Sequence, residues 1–366
     1  MLTYIIRRLL LMFPTLLGMT IITFSVMAMS PGGLMAIVNT RTGAADPRSR
    51  AAMRAFYERK YGLDKPLPVQ YLMWLNGVSP VGIKNAGAGW PLNWRVGFKP
   101  PDLGESIIAH QSVLEMVEES LPITLLLNII TIPVIMALSV WSGVQAARKR
   151  GGLADVGGGM FLLGLWSVPQ IWAGVMLVGY LGNKEWLHWF PTAGLHDVQA
   201  DQFNFLPTLG FAGGVHFERG WLLDTAWHLV LPIICFSYAG FAFTSKLTRG
   251  AMLENIAADY IRTARAKGLP EGVVLYRHVL RNGLLPLITS CASLLPSLIG
   301  GSIIVENIFA LPGMGRLGVQ AALQKDPQMV MSLTLVASIL TLISFLITDI
   351  AYAMADPRVS FEANPT

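Results

Sequence analysis

The chain has 366 residues, 53% of them hydrophobic and only 13% charged, with a formal net charge of +5. A soluble domain carries roughly 25% charged residues, so half that charge, with apolar runs of about 20 residues, excludes an ordinary soluble globule and points to a polytopic helical membrane protein. The runs are continuous rather than alternating, which argues against a β-barrel; the net charge says little by itself, and no nucleic-acid partner is expected.

Met1–Arg8 ends in Arg7-Arg8, and Leu9–Met29 holds no charge. That apolar run is longer than a signal-peptide core needs, and no clear small-x-small cleavage signal is present. Residues 1–30 therefore read as a cytoplasmic N-terminus and a first span. Residues 31–120 form the longest polar region and are expected outside the cytoplasm. There Pro31-Gly32-Gly33 ends the span, and Arg48–Tyr61 is a candidate amphipathic helix. Gly87–Pro101 reads as loop, and Ser106–Glu119 as an amphipathic helix leading into the next span.

The second span covers about Leu121–Gln145, and Arg148-Lys149-Arg150 anchors its cytoplasmic end. The third covers about Val156–Gly182 with Pro169 inside, a residue membrane helices tolerate when neighbours satisfy the freed carbonyls. Asn183–Trp227 reads as an external loop whose Trp186, Trp189, Trp221 and Trp227 suit an interfacial belt. The fourth span is about His228–Ser245, followed by a cytoplasmic loop, 246–283. The fifth is about Leu284–Ile308. Phe309–Gln328 is a short external loop centred on PGMG (312–315). The sixth is Met329–Met354, and 355–366 is a cytoplasmic tail. The expected fold is all-α, with six transmembrane helices, both termini cytoplasmic and a core domain over 121–354.

Chemistry-bearing motifs are missing. The sequence has no G-x-x-x-x-G-K-[ST] phosphate loop, no H-E-x-x-H or C-x-x-C and no G-x-S-x-G elbow. No catalytic, cofactor or metal residue is expected. The predicted spans hold few ionisable groups, against the pattern of a proton-coupled carrier. Cys235 and Cys291 lie in apolar runs and read as small buried hydrophobes.

Asp259–Pro286 is the most basic short segment in this oily chain. Leu253, Ile256, Ala257, Tyr260, Ile261 and Ala264 recur at helical spacing and form one apolar stripe. Arg262, Arg265 and Lys267 point elsewhere. Gly268 suits a helix stop, and Pro270 suits the first position of a second helix, with Glu271 in its first turn. The loop is too long for a bare connector. Two readings stay open on these residues: an interfacial helix held by anionic lipid, at about 1 kcal/mol per cation, or a small-residue surface that fits a groove on a partner. In the outer loop, PGMG reads as a turn. Glu306, Pro312 and Gly313 are candidate path or gate residues.

The basic stretch resembles the cytoplasmic loop of permeases of binding-protein-dependent ABC importers, in the dipeptide/oligopeptide branch. The matching residues are Asp259-Tyr260, the run Arg262-Thr263-Ala264-Arg265-Ala266-Lys267-Gly268-Leu269, Arg277-His278, Arg281-Asn282 and Pro286. The general loop of that superfamily opens Glu-Ala-Ala; Arg262-Thr263-Ala264 in its place is typical of the peptide branch. The likeness extends over nearly the whole chain, through IIRRLLLMFPTLLG, YGLDKPLPVQYLMWL (61–75), DLGES (102–106), SLPITLLL (120–127), HLVLP (228–232) and VENIFALPGMGRLG (305–318). The segment 77–94 looks longer than the usual pattern.

The resemblance implies a type I importer permease fold with a scoop-like extracytoplasmic insertion after the first helix, in a bacterial inner membrane. It implies a path shared with a second homologous permease, two ATP-binding subunits beneath, and an extracytoplasmic solute-binding protein. ATP and Mg belong to the partners and none is bound by this chain. Asp259, Tyr260, Arg262, Thr263, Ala264, Arg265, Ala266, Lys267 and Gly268 are the implied ATPase-coupling residues. Relatives of this kind carry dipeptides, oligopeptides, peptide-like antibiotics, metal chelates, haem or glycans. The competing reading is a membrane scaffold without transport; an intramembrane enzyme lacks its residues here.

Overall fold

A computed structural model describes residues 2–29, 52, 55, 58, 62, 64–85, 94–106, 108–210, 216–284, 286–288, 290 and 303–355. The Pro31-Gly32-Gly33 break, most of the Arg48–Tyr61 helix, residues 86–93, the middle of the fifth predicted span (291–302) and the tail from 356 lie outside the described residues.

The chain divides into two compact units. Ile6–Leu121 and Leu317–Leu342 form one; Met1–Ile5, Pro122–Arg316 and Ile343–Thr366 form the other.

In the first of these, helix α1 (Leu2–Met29) runs through Pro14 without a break. A short helix, α2 (Leu67–Val78), meets it through aromatic side chains. Phe24 lies 5.5 Å from Tyr71 and 5.8 Å from Trp74 between ring centroids, and the hydroxyls of Thr20 and Tyr71 share a 2.9 Å hydrogen bond. Strands β1 (Val81–Asn85) and β2 (Trp94–Phe98) then pair antiparallel, with Val81 opposite Phe98. Glycine and proline content places Trp94–Phe98 in a loop; five residues are too short for composition to reveal a strand that its partner stabilises. The DLGES segment is tied to the start of the last long helix. Gln328 and Ser332 both donate to the Leu103 carbonyl, at 2.8 and 2.7 Å, and Ser106 donates to Asp326 at 2.7 Å.

The other unit holds most of the long helices. Helix α3 (Val113–Arg148) is one element of 36 residues. Of the expected Ser106–Glu119 helix only the part from Val113 is helical, as the first turns of α3, because VLEMVEES contains no breaker and places Glu115 where a helix start favours negative charge; Ser112 instead bridges Glu105. Helix α4 (Leu153–Ser167) and helix α5 (Gln170–Leu177, extended in π geometry through Val178–Gly182) stand in place of the single third span. They are bent by 93°. Pro169 cannot donate a backbone N–H and pushes Val168 out of helical geometry, to φ −77° and ψ 123°. The freed Val168 carbonyl accepts the Tyr238 hydroxyl at 2.6 Å, so a neighbouring helix makes the break tolerable.

Beyond a small hairpin, β3 (Thr208–Gly210) with β4 (His216–Glu218), comes helix α6 (Gly220–Ile256), 37 residues long. An apolar run measures only a crossing of roughly 30 Å, whereas this helix extends about 54 Å. It is accordingly longer at both ends than the predicted fourth span. Serines join α3 to α6: Ser142 and Ser245 hydroxyls lie 2.6 Å apart, and Ser139 donates to the Phe241 carbonyl at 3.2 Å. Helices α7 (Asp259–Ala266) and α8 (Glu271–Val273, extended in π geometry through Val274–Val279) follow. The remaining helices are α9 (Ile303–Ile308), α10 (Met314–Leu323) and α11 (Pro327–Ala355).

Among the described residues, four helices are long and apolar enough to cross a bilayer, or five if the bent α4–α5 pair counts as one crossing. The architecture is thus helical with two small antiparallel hairpins, rather than purely α.

Candidate functional site

The basic segment folds as two short helices joined at Gly268. Helix α6 stops at Ile256, and Ala258 is extended (φ −71°, ψ 149°) before α7 begins. The expected apolar stripe from Leu253 to Ala264 is therefore not one helix face. The chain turns at Ala257–Ala258, Tyr260 is exposed and donates to Asn255 at 2.6 Å, and only Ile261 and Ala264 of α7 are buried.

Those two side chains seat the segment. Ile261 and Ala264 pack with Val274, Leu275 and Val279 of α8 against Val144 and Ala147 of α3 and Met252 of α6. The loop is thus held on the ends of two long helices rather than hanging from one.

Helix α7 ends in a paired closure. The Gly268 N–H bonds to the Arg265 carbonyl at 2.9 Å and the Leu269 N–H to the Ala264 carbonyl at 3.4 Å. This Schellman arrangement requires a left-handed residue after the cap, and Gly268 has φ +77°. Pro270 is the N-cap of α8 rather than its first helical residue, and Glu271 takes that first place.

Charge is arranged around the turn. Arg265 makes two hydrogen bonds to Glu271, from Nε at 3.1 Å and Nη2 at 2.7 Å, and Arg262 reaches Asp259 at 3.3 Å. Hydrogen bonding from Arg265 holds the Glu271 carboxyl below its ordinary range, and Glu271 in turn raises Arg265. Arg262, Thr263, Ala266 and Lys267 form the outward surface. The expected coupling residues come together here, but Asp259, Arg262 and Arg265 are engaged within the loop itself.

A second feature at this end escaped the sequence reading. Arg249 of α6 grips Asp155 of α4 through Nε and, at 2.8 Å, Nη2, while the Gly151 N–H donates to the same carboxylate at 2.9 Å. Arg249 reads from sequence only as a topological marker. The available signal was an aspartate at the start of an apolar run, which needs a partner near lipid.

The PGMG turn brings Glu306 and Gly313 into one buried knot with Thr124, while Pro312 of the same turn is exposed. Glu306 is 1% exposed. Its carboxylate accepts the Thr124 hydroxyl at 3.1 Å and the Arg316 N–H at 3.0 Å, while Thr124 accepts the Met314 N–H at 2.8 Å. A Cβ on Gly313 would lie 2.5 Å from the Glu306 carboxylate and 2.7 Å from the Thr124 hydroxyl, so only glycine fits. The carboxylate serves the first turn of α10, where helix N–H groups want acceptors.

Comparison with known proteins fits these elements. Residues 123–361 match the family model described as binding-protein-dependent transport system inner membrane component, and residues 1–128 match that of its N-terminal region. The chain is 36% identical to the oligopeptide transport system permease protein AppB of Bacillus subtilis, over 99% of this chain and 100% of that one. It is 33% identical to the di/tripeptide transport system permease protein DppB of Pseudomonas aeruginosa, over 98% and 99%. It is 31% identical to the peptidoglycan transport system permease protein YejB of Agrobacterium fabrum, over 98% of each.

Proposed function

The chain belongs to the family of inner-membrane components of binding-protein-dependent transport systems, and from that premise we propose how it works and what it carries. It is a permease subunit of an ABC importer and a multi-pass inner-membrane protein. It acts with a solute-binding protein and other subunits of the importer. A scaffold without transport is not favoured, since the likeness to transport permeases runs from end to end.

The finer reading is ours. The cargo is a peptide or a peptide-like solute, as the names of its relatives suggest. Six spans cross the membrane with both termini inside, residues 31–120 form an outer insertion, and a second homologous permease completes the path. Two partner subunits bind ATP and Mg. Each permease offers one of them a helix–turn–helix stub, here Asp259–Gly268, and the movement of the ATPases enters through it. Glu306, Pro312 and Gly313 hold the outer turn beside the path.

One observation carries this reading: the stub is seated by Ile261 and Ala264 on the ends of α3 and α6, yet turns a cationic, small-residue surface outward. A stub so built transmits force to the spans; a lipid-covering helix needs no such seat. The test is reconstitution with the partner subunits in proteoliposomes. ATP-dependent peptide uptake, with ATPase subunits retained through detergent extraction, is expected. Retention of the ATPases with no peptide uptake overturns the cargo, and loss of the ATPases overturns the docking.

A further inference from the structure

At the N-terminal end of α6, opposite the end that carries the coupling stub, lies a cavity of about 280 Å³. About 54 Å of helix separates the two ends. Asp224 and His228 of α6 line the cavity together with Asp197, Arg219 and the aromatic rings of Phe190 and Trp227.

Its polar groups are held in place with acceptor atoms left over. Asp224 is 2% exposed; its Oδ2 accepts the Asp197 N–H at 2.8 Å and lies 3.5 Å from the His228 Nδ1, while its Oδ1 accepts no hydrogen bond among the described residues. The Nδ1–H of His228 donates to the Asp224 carbonyl at 2.9 Å, so that bond does not occupy Nε2. Asp197 uses Oδ1 to accept the Gln199 N–H at 3.0 Å. Phe190 and Trp227 stack with centroids 4.5 Å apart and supply an apolar, π-rich wall.

The composition of the site selects its ligand. Two carboxylates and an imidazole line the cavity, and the Oδ1 of Asp224, which accepts no hydrogen bond among the described residues, is available to a donor or a cation that enters it. A primary ammonium has three donors and is also attracted to an indole face. Arg219 at the same cavity suits a carbonyl or carboxylate on the same molecule. We propose that this cavity binds a primary ammonium group carried beside an apolar body and a carbonyl or acidic group. That is the chemistry of the amino-terminal end of a short peptide; an ethanolamine phospholipid headgroup presents the same pair of charges. The ammonium site stands on the cavity alone, and its assignment to cargo rests on the peptide reading above.

The experiment uses the membrane complex of permeases and ATPase subunits, without the solute-binding protein, in nanodiscs of phosphatidylglycerol, titrated by calorimetry with Phe-Ala and with N-acetyl-Phe-Ala. The native complex should bind the free dipeptide about tenfold or more tightly than the acetylated one, the scale of a lost charge-assisted hydrogen bond. Asp224→Asn keeps an oxygen for the Asp197 N–H and should lose that preference; Asp197→Asn, on an exposed residue, should weaken it. A second arm uses discs containing phosphatidylethanolamine and no peptide. Retention of that lipid by the native complex but not by Asp224→Asn, without peptide binding, gives the ammonium to the headgroup. Equal affinity for both dipeptides, or binding unchanged in both variants, overturns the site, as does the lack of any ammonium ligand in either arm. ATP-driven uptake of Phe-Ala is read separately, so a failure of the import reading shows as binding without uptake.

Discussion

Arg265 and Glu271 clasp each other across the Gly268 turn through two hydrogen bonds, of 3.1 and 2.7 Å. The pair ties the last turn of α7 to the first residue of α8, so the two short helices present one surface. It also sets a pH dependence. Because the folded carboxyl titrates below its ordinary 4.5, the clasp contributes fully above about pH 4.5 and is lost as pH falls through the lower folded value. At neutral pH it is intact. Glu271→Gln should therefore loosen the turn at pH 7, with amides of 266–271 exchanging several-fold faster in hydrogen-exchange mass spectrometry. Native-like exchange in that variant would show that the clasp does not order the turn.

Gly268→Val tests the turn directly. A β-branched residue at φ +77° costs about 1–2 kcal/mol and works against the paired closure of α7. The variant should insert in the membrane normally yet retain less of the ATPase subunits after extraction, with uptake uncoupled from hydrolysis. Normal retention and coupling would argue that the stub does not dock.

The Asp155–Arg249 grip should behave as a unit. Removing one partner of a buried ion pair leaves the other uncompensated; with Arg249 about a third exposed, a loss of about 1–3 kcal/mol is expected from Asp155→Asn or Arg249→Gln. The double variant should lose less than the sum of the single losses. Strict additivity in a double-mutant cycle of thermal unfolding would show that the two side chains do not interact.

The outer knot predicts a steric effect. Gly313→Ala forces a methyl group against Glu306 and Thr124, at an expected cost of about 1–3 kcal/mol. Thr124→Ala removes a donor to a buried carboxylate and should cost a similar amount, about 1–3 kcal/mol, while Thr124→Ser restores most of it. If Thr124→Ser melts as low as Thr124→Ala in detergent, the hydroxyl is not what holds Glu306.

What could be read in the sequence was local. Gly268 and Pro270 announce a helix, a stop and a second helix because each fixes its own backbone. The break at Ala257–Ala258 was hidden, since alanines carry no such signal and the apolar spacing continues across it. Pro169 was visible, but its consequence depends on Tyr238, distant in sequence, which supplies the donor that lets the helix bend by 93°. Thr124 with Glu306 and Asp155 with Arg249 are likewise long-range partnerships that no window along the chain contains. The cationic surface was legible; its internal pairing of Arg265 with Glu271 was not, because it spans the turn.

Helix α6 joins the cavity at one end to the stub's seat at the other, and Pro232 interrupts its backbone ladder a third of the way along. Geometrically this is a lever with unequal arms. The arm from Pro232 to Gly220 is about 18 Å and the arm to Ile256 about 36 Å, at 1.5 Å per residue. A pivot of about 10° at Pro232 carries Ile256 through roughly 6 Å and Met252 through roughly 5 Å, against roughly 3 Å at Gly220, as follows from those arm lengths. Conversely, a stroke delivered at the Ile256 end arrives at Asp224, about 12 Å from Pro232, cut to about a third in distance and raised about threefold in force.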